Sequence, residues 1–154
     1  MTPLVLDTNL LGQICHPNAA QFKEIKSWVY GLLQAPEPKP YQIYVPEIAD
    51  YELRRKLLHL AFQQGRGQTQ SLQRLNQYQK ILNYLPLNTP TFQRAAELWA
   101  NARIRGLATA SPEMLDGDVI LAAQTLEVNG IVLTTNKKHL SRFVTVADWH
   151  SFLI

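Results

Sequence analysis

The sequence predicts an α/β protein, a three-layer α/β/α sandwich around a mainly parallel central sheet. Two observations carry that expectation. The apolar runs at 4–6 and 131–133 are continuous rather than alternating, as in strands buried on both faces of a parallel sheet. Between such runs lie longer stretches with helical spacing of apolar residues, so strands and helices alternate.

The elements follow in order. Leu4–Val5–Leu6 forms the first strand, and Asn9 or Thr8 can cap a short helix carrying Leu10, Leu11 and Ile14. After Pro17, the set Phe22, Ile25, Val29, Leu32 and Leu33 is spaced for a helix, which three prolines within 35–40 bring to an end. The stretch YQIYVP (41–46) reads as the second strand, with Pro46 suited to the first turn of the next helix. That helix bears Ala49, Leu53, Leu57 and Leu60 on one stripe, and 63–70 is a polar, Gly-containing loop. A further helix carries Leu72, Leu75, Tyr78 and Leu82. YLPL (84–87) is a short strand that Pro86 confines to an edge. Thr89 and Pro90 suit an N-cap and first turn, and Gly106 a stop, for a helix with Phe92, Ala96, Trp99 and Ala102. GDVILAAQTLEVNG (117–130) is apolar on most sides, hence a central helix, opened by Asp118 and closed by Gly130. Strands follow at 131–136 and 143–149.

No repeat, low-complexity tract or internal boundary interrupts the 154 residues, so one domain over 1–154 is expected. A single cysteine, Cys15, excludes an intrachain disulfide framework. No apolar run approaches a membrane span and the N-terminus lacks a signal-peptide layout, so the expected location is cytoplasmic, with no membrane partner. The net charge of +3 is mild; it is compatible with a polyanionic partner without specifying one.

Functional crevices of open α/β sheets lie at the carboxyl ends of the strands. Asp7 ends the first strand there, Glu52 lies early in the helix after the second, Asp118 opens the central helix, and Asn136 follows the 131–133 strand. Each has a plain structural use on its own: Asp7 as a helix cap, Glu52 as a solvated charge beside Arg54 and Arg55, Asp118 at a helix start, Asn136 in a turn. Together, three acids on one rim repel one another and call for a cation. Oxygen donors suit Mg²⁺ or Mn²⁺, whereas His16, His59, His139 and His150 are too scattered for a zinc pattern. An acidic metal crevice on a basic chain suits a phosphodiester substrate, gripped by Arg54, Arg55, Lys137 and Lys138.

These residues resemble the PIN-domain family of metal-dependent ribonucleases, which includes the VapC toxins of toxin–antitoxin pairs. LVLDTN (4–9), VPEIADYELRRKL (45–57), DVILAAQTL (118–126), IVLTTN (131–136) and FVTVADW (143–149) stand in the family's order over nearly the whole chain. The resemblance implies a PIN-like fold and a divalent-metal-dependent endoribonuclease acting through activated water. It assigns Asp7, Glu52 and Asp118 as catalytic metal ligands and Asn136 as an auxiliary one. Thr8, Asn9 and Thr134 would support the rim by hydrogen bonds. RNA is the implied substrate, and a cognate antitoxin protein the implied partner. The first helices, including Trp28 and Tyr30, offer a face for a homodimer. Two departures stand out: His139–Leu140 replaces an acid followed by Phe, and the stretch around 35–42 is long. Two other classes remain open. A non-catalytic PIN-like module would bind RNA or protein without cutting. A haloacid-dehalogenase-like phosphatase would use Asp7 as nucleophile, although Asn9 stands where that fold wants a second Asp.

Overall fold

The computed structural model describes residues 1–67, 69–106 and 112–154, with the side chains of 112–114 left aside. The loop expected at 63–70 is therefore described apart from Gln68. Strands β1 (Thr2–Leu6), β2 (Tyr41–Pro46), β3 (Asn83–Leu85), β4 (Ile131–Leu133) and β5 (Val146–Ala147) form one sheet. Its order is β3-β2-β1-β4-β5 and every pairing is parallel. Helices α1 (Thr8–Cys15), α2 (Lys23–Gln34), α3 (Glu47–Gln63), α4 (Gln70–Ile81), α5 (Thr89–Ile104), α6 (Pro112–Glu127) and α7 (Lys137–Leu140) connect them, and a 3-10 turn covers Trp149–Phe152. This is the expected element order, with β3 at an edge.

Alternate residues of β1 face opposite layers. Leu4 and Leu6 pack with α1, α2, α4 and part of α3, while Val5 faces α6 and α7 on the other side. Helix α5 lies outside α6, meeting it through Ala95, Leu115, Val119 and Ala123. The buried amide of Gln124 joins three elements: its Oε1 accepts from Ile48 N (3.2 Å) and its Nε2 donates to the Leu85 carbonyl (2.6 Å). The chain winds outward through β2 and β3 on one side of β1 and through β4 and β5 on the other. The switch point between β1 and β4 opens a crevice at their carboxyl ends.

Several local expectations are corrected. Helix α1 is capped by Asp7, whose Oδ1 accepts from Leu10 N at 2.9 Å, not by Thr8 or Asn9. Phe22 lies outside the α2 face, at its N-cap with φ of 56° and half-exposed. Pro46 ends β2 and precedes the first turn of α3. The α3 stripe runs out before Leu60, which is exposed while Ala61 is buried. Leu82 is buried but lies one residue past α4.

Asn88 rather than Thr89 caps α5; the first half of the helix is turned by one residue from the expected stripe, while Trp99 packs against the core and Ala102 is buried as expected. Thr91 and Ala95 point inward while Phe92 and Ala96 face out. A polar residue can take that inner position because Thr91 Oγ1 donates to Asn88 Oδ1 (2.8 Å) and also reaches Glu127. Gly106 does end α5, at φ of 65°. Helix α6 begins five residues before the expected start, so Asp118 lies in its second turn. The left-handed residue after α6 is Asn129 (φ 50°), not Gly130. The last strand shrinks to two residues. Trp28 belongs to the core: its Nε1 donates to the Phe152 carbonyl (2.9 Å), and its ring packs on Trp149, so only Tyr30 of that pair is exposed. Among the described residues no helix is long and apolar enough to cross a membrane.

Candidate metal centre

The crevice is built outward from Asp7. The end of β1 is held by Asp7 N donating to the Leu133 carbonyl (3.2 Å), which pins the residue beside β4. Its carboxylate is 7% exposed and divided between two tasks. Oδ1 caps α1 through Leu10 N, while Oδ2 accepts from the hydroxyl of buried Thr134. Thr134 in turn accepts from Asn136 N at 2.8 Å, shaping the exit from β4.

Glu52, half-buried in the second turn of α3, faces α1, where Thr8 Oγ1 donates to its Oε1 at 2.9 Å. Its other oxygen lies against Gly117 of α6: a Cβ built there would stand 2.9 Å from Oε2. Glycine at 117 therefore leaves room for the carboxylate between the two helices. Asp118 follows directly, half-buried. Asn9 Nδ2 donates to Thr135 Oγ1 (3.3 Å), closing the rim between α1 and the end of β4. Asn136 stands on the same rim, exposed, with no side-chain cap bond to α7.

The charges within the crevice act on one another. Burial pushes the Asp7 carboxyl above its ordinary value, the hydrogen bonds from Thr134, Leu10 N and Asn9 N oppose the rise, and the Glu52 charge adds to it. Asp118 is likewise raised, first by burial; His139 and Arg142 counter it, while Glu52 and Asp7 add to it. Three carboxylates thus share one partly dehydrated space, and a cation would relieve both the burial and the repulsion. The donors are all hard oxygens, and Gly117 makes room for the Glu52 carboxylate beside Asp118, which fits a Mg²⁺- or Mn²⁺-like ion by chemistry. Among the described residues, no three His, Cys, Asp or Glu side chains already stand in metal-holding geometry.

The cations expected around the rim differ in their freedom. Arg54 is committed: Nε and Nη2 donate to Asp50 (2.8 and 3.3 Å) and Nη1 donates to Asn76 (2.7 Å), tying α3 to α4. Arg55 is exposed over the Tyr51 ring, and Lys137 and Lys138 are exposed on α7. Sequence reasoning did not single out Gly117, although an isolated glycine inside a helical pattern is a signal for close packing. It also passed over Arg142 as a neighbour of Asp118.

A parallel α/β sheet with an acid-lined crevice at its switch point defines the class of protein. The chain belongs to the PIN domain family, whose model matches residues 4–144. The fold is similar to the FitAcB structure from Neisseria gonorrhoeae (20% identity, TM-score 0.66, covering 96% of this chain and 99% of that one). It is also similar to VapBC2 from Rickettsia felis bound to a DNA fragment from their promoter (16%, TM-score 0.69, 96% and 99%). A third likeness is VapBC-1 from nontypeable Haemophilus influenzae (20%, TM-score 0.63, 97% and 99%). The curated proteins give no significant match. PIN domains generally use divalent metal ions.

Proposed function

We propose that the chain is a divalent-metal-dependent endoribonuclease, the toxin of a toxin–antitoxin pair. The observation that supports this reading is geometric: Asp7 ends β1, Thr8 beside it bonds Glu52 of α3, and Glu52 packs against Gly117, the neighbour of Asp118 on α6. These three would hold Mg²⁺ or Mn²⁺, with Asn136 as an auxiliary donor. The ion, when bound, supplies the positive charge that ionises an attacking water and neutralises the phosphoryl oxygens.

The protein's own residues would do the rest. Thr134 fixes which Asp7 oxygen faces the crevice, and Thr8 orients Glu52. Asn9 holds the two sides of the rim at a set separation. Arg55, Lys137 and Lys138 would contact the phosphates on either side of the scissile bond, a task that Arg54 shares only if it leaves Asp50. The two-protein assemblies named for the structural neighbours support a cognate antitoxin as partner. The reading extends to a cytoplasmic single domain working as a homodimer.

The test is cleavage of an end-labelled mixed RNA pool by wild type and by Asp118→Asn, each with Mn²⁺ and with EDTA. Cutting by wild type with Mn²⁺ alone is the expected result. Equal cutting by Asp118→Asn would overturn the site. RNA retained without cutting, whatever the metal, would move the chain to the binding modules.

A further inference from the structure

A groove leaves the acid crevice at Asn9 and runs between α1 and α3. Its first part, a cavity of about 270 Å³, is lined by Asn9, Gln13, His16, Phe22, Leu53 and Lys56. Leu53 and Lys56 follow Glu52 on α3, Lys56 one turn further along the same face, and Asn9 stands two residues after Asp7, so this cavity begins beside the residues that flank the acids. Beyond Phe22 and Gln13 a second cavity of about 420 Å³ reaches Lys23, Glu24, Trp149 and His150, the last two with rings stacked at 3.9 Å.

Phe22 lines both cavities, and burial of its own side chain does not account for its conformation. It holds a left-handed backbone (φ 56°, ψ 36°), which is uphill for a bulky residue. The residue is 40% exposed rather than buried and makes no side-chain cap bond to α2. The turn that precedes it is tied to α2. Lys26 Nζ donates to the carbonyls of His16 (2.8 Å) and Asn18 (2.9 Å), and Asn18 N donates to His16 Nδ1 (3.1 Å). The turn so fixed presents Phe22 edge-to-face with His16, ring centroids 5.5 Å apart. Backbone strain held in place by neighbours, with an aromatic ring turned to water, is the pattern of a ligand clamp.

We propose that Phe22, with His16, is a stacking platform for a nucleobase of single-stranded RNA flanking the scissile phosphate. The inference rests on the nuclease reading and adds to it the path of the substrate. Aromatic rings interleaved with the exposed cations Lys23 and Lys56, on a chain of net charge +3, match how single strands are bound without sequence readout. Continuity with the crevice through Asn9 sets the base next to the bond that is cut.

The test uses short single-stranded RNAs carrying 2-aminopurine at successive positions, titrated into Asp118→Asn protein with Mn²⁺ so that strands stay intact. Phe22→Asn and Phe22→Tyr are made in the same background. Asparagine tolerates the left-handed region, so Phe22→Asn melts at or above its parent and any loss of binding is not loss of fold. The expected result is quenching at one RNA position, lost in Phe22→Asn together with about tenfold in affinity and retained in Phe22→Tyr. Unchanged affinity and quenching in Phe22→Asn would overturn the platform and leave the groove to a protein segment. Cutting by the wild-type chain reads the acids separately. Cutting with no Phe22 effect removes the platform alone; a Phe22-dependent quench with no cutting keeps the platform and removes the nuclease.

Discussion

Replacing Gly117 by alanine separates site geometry from stability. The added Cβ would lie 2.9 Å from Glu52 Oε2, 3.6 Å from Cδ and 3.7 Å from Oε1, so the carboxylate must retreat by about half an ångström. That movement disturbs the 2.9 Å bond from Thr8 and shifts the one acid supplied by α3. The fold has little to lose, because the displaced atom is the end of a flexible side chain. Alanine inside a helix gains about 1 kcal/mol over glycine, which offsets the crowding. Urea unfolding of Gly117→Ala should therefore stay within about 1 kcal/mol of wild type. Mn²⁺ affinity by titration calorimetry, and RNA cleavage with it, should fall about 10- to 100-fold, the usual effect of disturbing a ligand's support. Wild-type Mn²⁺ affinity in the folded variant would refute the reasoning that Gly117 sets the position of Glu52.

Three further outcomes are expected. Asp7 and Asp118 are both raised by burial above the ordinary carboxyl value of 3.8, so the folded chain holds these protons more tightly than the unfolded one. Their contribution to stability is complete below that value and is lost as pH rises through the raised values. In EDTA, Asp7→Asn should thus gain stability relative to wild type between pH 4 and 7, and a flat difference would count against the raised carboxyl. Arg54→Met should cost about 2 kcal/mol in urea unfolding, reduced from the value for a fully buried pair by the partial exposure of Arg54, and leave RNA affinity unchanged. Lys137→Ala with Lys138→Ala should do the reverse: unchanged stability, and a log–log salt dependence of RNA binding shallower by about 1.4.

The order of elements was legible because each apolar run and each helical stripe buries its own side chains, and burial leaves a period in the sequence. That Asp7, Glu52 and Asp118 fall at one edge was legible because a parallel sheet carries residues after its strands to that edge. What escaped depends on contacts between elements far apart in the chain. The turn of early α5 follows from the bonding of Thr91 to Asn88 and Glu127, 36 residues away in the latter case, so the apolar spacing of Phe92 and Ala96 misleads. Gly117 matters only once α3 and α6 are packed together. Trp28 could not be told from a surface aromatic until Phe152 and Trp149 returned to meet it. Phe22 has helical spacing with Ile25 and Val29, yet Lys26 holds the turn before it in another conformation.

The two oxygens of Asp7 have different employers, one the first turn of α1 and the other the Thr134 hydroxyl facing the crevice. Selection for folding alone would then keep a cap-forming residue at position 7, even in a descendant under no selection for the proposed cleavage. Asparagine caps a helix about as well as aspartate. A silenced descendant should therefore drift to Asn at position 7 while losing Glu52 and Asp118 freely, since neither of those carboxylates caps a helix. Under the proposed reading, the history of cleavage in such a lineage would be written in Glu52 and Asp118, and that of the fold in Asp7.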